Sequence, residues 1–218
     1  MRYLLLALMA AAAYLYAQYN DLHALSFISK GIPVILLILW LREAPASLYR
    51  RWISIGLLFS LAGDLLLDWP DDLFVFGLSA FLIAHLAYLS AYIIDCKRPA
   101  WLALLVALLT GGGMFAIVSI YNLGPLLIPV GCYALVISIM LWRALARLTQ
   151  PGISVRSAQL AAGGAALFVL SDGMIAINRF VWPFEASTFT IITTYWLGQW
   201  GIAASAFSQA TERPDNPS

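Results

Sequence analysis

The sequence predicts an all-α membrane protein: a polytopic bundle of eight transmembrane helices, arranged as two parallel four-helix repeats. Three observations predict it. Hydrophobic residues make up 62% of the chain and charged residues 11%, against about 25% charged in a soluble domain. The mean hydropathy is +0.87. Apolar stretches near the roughly 20 residues needed to cross a hydrocarbon core recur along the whole chain, separated by short runs of charge or turn residues. A chain so poor in charge cannot cover itself with polar surface in water, so lipid is its solvent. The net charge of +1 points to no partner, and no basic stripe suggests nucleic acid.

The eight stretches cover residues 2–18, 26–42, 51–68, 73–95, 99–120, 125–147, 157–179 and 186–208. The first follows Arg2 and has some marks of a signal peptide, with Ala10 to Ala13 as small residues for cleavage; it is read as the first helix. The connections are short, so successive helices are expected to be antiparallel neighbours. Residues 1–209 form one transmembrane domain with no linker, and 210–218 form a polar, loose tail. Cys96 and Cys132 lie far apart, one in a loop and one in a helix, and form neither a disulfide framework nor a metal motif.

Orientation follows from the basic residues. Arg42, Arg50 and Arg51 flank the second connection, Lys97 and Arg98 sit in the fourth, and Arg143, Arg147 and Arg156 flank the sixth. Arg179 is the exception on the other side. Positive loops stay cytoplasmic, so both termini are expected to face the cytoplasm, in an inner (cell) membrane.

The two halves share an order of features. Leu58-Phe59, Asp64, Trp69-Pro70, Phe81 and His85 are matched by Leu167-Phe168, Asp172, Trp182-Pro183, Tyr195 and Gln199. Four helices per unit is an even number, so the copies would share one orientation about an axis along the membrane normal.

Ionisable residues inside a span are costly and mark sites by default. Asp64 and Asp172 occupy matching places in the third and seventh stretches. Two carboxylates brought together away from bulk water cannot both ionise cheaply, so such a pair offers one acid and one base. The alternative for Asp64, about a turn from its helix end, is a cap or a pairing with Lys30. His85 lies mid-helix, where burial of a merely structural histidine is harder to explain. Lys30 either snorkels to the headgroups or meets a lipid phosphate or an aspartate. Tyr195 and Gln199 share a helix face by their spacing of four. There is no Gly-rich phosphate loop, no nucleophile elbow and no zinc spacing, and two histidines are too few for a His-rich metal site.

These residues carry a resemblance. Lys30-x-x-Pro33, Leu58-Phe59-Ser60-x-x-Gly63-Asp64, Phe81-x-x-x-His85-x-x-Tyr88, Met140-x-Trp142-Arg143-Ala144, Gly164-Ala165-x-Leu167-Phe168-x-x-Ser171-Asp172 and Tyr195-x-x-x-Gln199 stand in one order. The order resembles the YhhN family of membrane proteins, which includes the lysoplasmalogenases. The resemblance implies an eight-helix fold and hydrolysis of the vinyl ether bond of a lysophospholipid substrate, the lysoplasmalogen, to a fatty aldehyde and a glycerophospho-head group. It implies Asp64 and Asp172 as catalytic residues, and Lys30, His85, Tyr88, Tyr195 and Gln199 as residues that hold substrate or orient the pair. The chemistry, protonation of a vinyl ether to an oxocarbenium ion and attack by water, requires no metal or organic cofactor. Apart from substrate, the expected partners are membrane lipids.

Two rival functions are weighed. An intramembrane aspartyl protease needs a Gly-x-Gly-Asp motif and aspartates on adjacent helices; position 61 is Leu and the two aspartates are four helices apart. A lipid or small-amphiphile transporter or binding protein would show interrupted helices at matching places in both halves, for which Pro33 and Pro129 are the candidates.

Overall fold

The computed structural model describes residues 2–209, and no strand occurs among them; the tail expected over 210–218 lies outside the described residues. Nine α-helices follow in order: α1 (Arg2–Tyr19), α2 (His23–Lys30), α3 (Ile32–Leu41), α4 (Leu48–Leu67), α5 (Phe74–Asp95), α6 (Trp101–Ser119), α7 (Leu127–Ala146), α8 (Val155–Phe180) and α9 (Ser187–Ser205). Short 3-10 turns sit before and after α7 and after α9. Ser47 starts α4 in the usual way: its side chain accepts the N–H of Arg50 at 3.0 Å.

The second expected helix, 26–42, differs. The helix begins three residues earlier, at His23, and is broken at Gly31 into α2 and α3. Pro33 is the cause. It sits in the first turn of α3 and has no N–H to offer the carbonyl one turn back, which an unbroken helix would require. The break places Lys30 at the free end of α2, where its long side chain turns inward to the site described below.

Five helical stretches are long and apolar enough, by length and composition, to cross a membrane: His23–Leu41, Phe74–Asp95, Trp101–Ser119, Gly124–Thr149 and Val155–Phe180. The chain is an integral membrane protein. α1, α4 and α9 run 18, 20 and 19 residues, but polar residues dilute them. Examples are Arg50, Arg51 and Asp64 in α4, and Thr188, Thr190, Thr193 and Thr194 in α9.

The most extensive packing joins α4 to α5 and α8 to α9. The second pair meets backbone to backbone. A Cβ on Gly164 would lie 2.7 Å from the carbonyl oxygen of Gly198, and one on Gly198 would lie 2.9 Å from that of Gly164, so no side chain fits at either. Between bilayer-embedded helices, where water supplies no driving force, such close approach is what stabilises association. α6 sits at the periphery, with only Ala107, Gly111 and Val118 buried. Cys96 is buried and Cys132 exposed, both as free thiols.

The bundle has two different ends. At one, Arg147 is buried in the turn after α7 and gathers four helices. It donates to Tyr49 of α4 at 2.7 Å, to Asp95 of α5 at 3.0 Å and to Ser157 of α8 at 3.0 Å. Ser205 of α9 joins through Tyr49 at 2.8 Å. The guanidinium also lies over the Tyr49 ring, 4.6 Å from its centroid. A buried cation is tolerable only with such company. At the other end the helices part around a polar cavity.

Candidate active site

The cavity measures about 580 Å³ and lies among the ends of α1, α2, α4 and α8 and the beginnings of α5 and α9. Four of the residues singled out in the sequence line it: Lys30, Asp64, Asp172 and Tyr195. Asp64 is carried by the last turns of α4 and is buried. The Gly63 before it leaves room for α5, since a Cβ there would fall 2.6 Å from the Phe81 ring. Tyr195, reaching across from α9, donates to Asp64 Oδ2 at 2.7 Å.

Asp172 stands on α8 with its side chain 10% exposed. Its Oδ2 accepts a hydrogen bond from Tyr133 of α7 and lies 3.1 Å from Nε2 of His85 on α5. Tyr133 and His85 also approach one another at 3.3 Å. Each carboxylate is thus fixed at one oxygen by a phenol, while its Oδ1 takes no hydrogen bond among the described residues. These are two oriented acids with a free oxygen each on one cavity. Such an arrangement can give and take protons.

Lys30 does not pair with either of these aspartates; its Nζ lies 2.5 Å from Asp68, one turn beyond Asp64. At the cavity rim Arg179 makes two bonds to Asp72, at 2.9 and 3.2 Å, and covers the Phe74 ring at 4.1 Å. The Arg179 hydrogen bond holds the Asp72 carboxyl below the usual carboxylate range. Asn178 completes a polar mouth.

His85, Tyr88 and Gln199 are brought near but do not line the cavity. His85 is fully buried and touches it only through Asp172. Tyr88 donates to Gln199 at 2.7 Å and meets Ser60 at 3.3 Å, one layer deeper. Gln199 shares a face with Tyr195 but lies a turn further from the mouth. Between the layers stands Phe168, fully buried, whose ring meets those of Phe81, His85, Tyr88 and Tyr195 edge to face at 4.7–6.2 Å.

Beside Asn178 and Arg179 at the mouth, Tyr133 and Asp68 were not anticipated as site residues. Tyr133 is one of ten tyrosines and had only one weak signal, a hydroxyl within an apolar run. Asp68, the partner of Lys30, reads in sequence as an ordinary helix end.

The YhhN family matches residues 25–206 of this chain. The lysoplasmalogenase TMEM86A of Bos taurus is 38% identical over 157 residues, 71% of this chain and 64% of the relative. The lysoplasmalogenase TMEM86B of Homo sapiens is 33% identical over 189 residues, 85% of this chain and 77% of the relative. A lysoplasmalogenase of Mycobacterium bovis is 35% identical over 181 residues, 79% and 66% respectively. The chain therefore spans just under two thirds of the length of the TMEM86A relative. No solved structure matches the chain.

Proposed function

Since the chain belongs to the YhhN family, we propose that it is a membrane-embedded hydrolase that cleaves the vinyl ether bond of lysoplasmalogens, with Asp64 and Asp172 as its acid and base. One observation carries the mechanism: both carboxylates line a single polar cavity, each held at one oxygen and, among the described residues, free at the other. The names of the relatives, lysoplasmalogenases from mammals and a mycobacterium, support the substrate class.

Vinyl ether hydrolysis needs a proton delivered to carbon and a water relieved of one. Glycosidases handle a related oxocarbenium ion with two carboxyl groups, and the pair here supplies the same two functions. The glycerophospho-head group would occupy the cavity mouth among Lys30, Asn178 and Arg179, and the products would be a fatty aldehyde and the freed head group. His85 and Tyr133 would orient Asp172, and Tyr195 would orient Asp64. Tyr88 and Gln199 would support the wall behind them.

The same proposal takes the bundle as eight spans, with α2 and α3 sharing one, and as two parallel four-helix units with both termini cytoplasmic. The crossed partnerships favour this: His85 of the first half meets Asp172 of the second, while Tyr195 of the second meets Asp64 of the first. A transporter would show matching breaks in both halves. The described residues break at Gly31, whereas α7 continues unbroken past Pro129.

The test is incubation of purified protein with 1-alkenyl lysophosphatidylethanolamine or its choline analogue, with fatty aldehyde as the readout. Release is expected from both lipids or from one. The saturated 1-alkyl ether analogue, which has no double bond to protonate, should inhibit without turnover. Absence of aldehyde from both lipids would sink the hydrolase in favour of a lipid-binding or transport function.

A further inference from the structure

Resting on the hydrolase function proposed above, we infer that an apolar groove between α6, α7 and α8 holds the alkenyl chain of the substrate, which makes Asp172 the proton donor and Asp64 the base that receives the proton of water. The groove has a volume of about 290 Å³. Val106 and Met114 of α6, Ile137 and Leu145 of α7 and Ala166 of α8 are among its walls. Tyr133 lies at one part of the groove and Leu145 at another, which spaces them by about 18 Å at the helical rise per residue. Val106 is 44% exposed and Leu170, on the facing helix, 51%, so the groove opens sideways to lipid rather than toward the cavity mouth.

The groove and the polar cavity share one lining residue, Asp172. A smaller apolar space of about 60 Å³, bounded by Tyr133 and Phe81, also touches Asp172. Of these three spaces, Asp64 borders the polar cavity alone. The walls thus change from polar to apolar across one carboxylate.

A lysoplasmalogen changes character at one bond. Its vinyl ether joins the glycerol oxygen to the first carbon of the chain, and the second, β-carbon lies on the chain side. With the head group in the cavity and the chain in the groove, the double bond lies across Asp172. The β-carbon is the atom that must be protonated. The carboxyl proton of Asp172 forms a C–H bond there with the π pair, and the ether oxygen shares the positive charge left on the α-carbon. Water from the polar side adds to the α-carbon and passes a proton to the Asp64 carboxylate. The hemiacetal then breaks its bond to the glycerol oxygen, which takes the proton from Asp64, while the hydroxyl proton returns to Asp172. Both aspartates end as they began, and water is the sole co-reactant. Tyr133 and His85 hold Oδ2 of Asp172, which leaves Oδ1 to reach the alkene.

The chain arm of the test uses Ala166→Phe and Val106→Phe, two lipid-facing changes on opposite walls, so that one variant that folds suffices. Each is assayed on 1-alkenyl lysophosphatidylethanolamines of short and long chain. The ratio kcat/KM for the long chain should fall by about tenfold or more, the scale on which apolar pockets discriminate, and that for the short chain by clearly less. An unchanged profile, or equal loss at both lengths, would mark the groove as filled by bilayer lipid and overturn the assignment. The second arm adds azide, a nucleophile that needs no base, to Asp64→Gly and Asp172→Gly. Substrate consumption should return in Asp64→Gly alone; return in Asp172→Gly, or in neither, would reverse or remove the division of labour. A parent protein that releases no aldehyde would instead overturn the hydrolase function on which the groove depends.

Discussion

Tyr195 and Asp64 lie 131 positions apart in the chain, yet the tyrosine hydroxyl donates to the carboxylate at 2.7 Å. The bond joins the last α-helix to the fourth and fixes one oxygen of a buried acid. Tyr133 does the same for Asp172 from the preceding helix. Two carboxylates are thereby presented to one cavity in defined orientations.

Asparagine at either position keeps the shape and can still accept from the tyrosine, but it neither donates a carboxylic proton nor carries a negative charge. Asp64→Asn and Asp172→Asn should each lower turnover by about 10²–10⁴-fold, the usual worth of general acid–base help. Both proteins should still fold. The measurement is aldehyde release per mole of monodisperse protein, and near-normal turnover in either variant would remove that residue from the chemistry.

Tyr133→Phe removes the hydroxyl and leaves His85 as the remaining partner of Asp172. A positioning role predicts a fall in kcat of roughly tenfold, at the lower end of losses from supporting residues, with KM little changed. His85→Gln should cost less than Asp172→Asn because Tyr133 still holds the carboxylate. Steady-state kinetics of the two variants decide this. A rise in KM with kcat intact would assign Tyr133 to substrate binding instead.

Lys30 is paired with Asp68 at the cavity, and the proposed mechanism has it meet the substrate phosphate. Lys30→Gln should raise KM by about tenfold and change kcat less than about threefold, the signature of binding that ground state and transition state share. Lys30→Arg should restore much of the affinity. Equal losses in kcat and kcat/KM for Lys30→Gln would instead place the lysine in the reaction itself.

Arg147 forms hydrogen bonds to Tyr49, Asp95 and Ser157 while fully buried. Arg147→Ala leaves Asp95 without its cation and should destabilise the bundle by about 3–5 kcal/mol, the range found when one partner of a buried ion pair is removed. Thermal unfolding in detergent measures it. Arg147→Ala and Asp95→Asn together should lose less than the sum of the two single changes. Strict additivity would mean that the two side chains act independently.

What could be read from the sequence follows from the cost of polar groups in lipid. Asp64, Asp172 and Lys30 stand out because each interrupts an apolar stretch, and the structure puts all three on one cavity. His85 was equally visible, but its depth behind Asp172 was not, because position along a helix does not give distance from a cavity. Tyr133 was hidden among many aromatics. Its role depends on α7 turning that one hydroxyl toward α8, which periodicity in a uniformly apolar helix does not reveal. The break at Gly31 was half visible. Pro33 marks a candidate interruption, and α2 carries His23, Ser26, Ser29 and Lys30 where α3 is wholly apolar, but Leu25, Phe27 and Ile28 keep the stretch apolar enough to read as one span.

α9 supplies Tyr195 to Asp64, Gln199 to Tyr88 and Ser205 to Tyr49. A ribosome delivers α4 and α5 into the bilayer well before α9 exists, since chains emerge from the N-terminus at a limited rate. During that interval Asp64 has no native hydrogen-bond donor, while Tyr88 has only Ser60 and Tyr49 waits for Arg147 to follow α7. The order of synthesis therefore opposes the order of pairing. A nascent bundle stopped before residue 187 would lack Tyr195 and leave the Asp64 carboxyl without its hydrogen-bond donor.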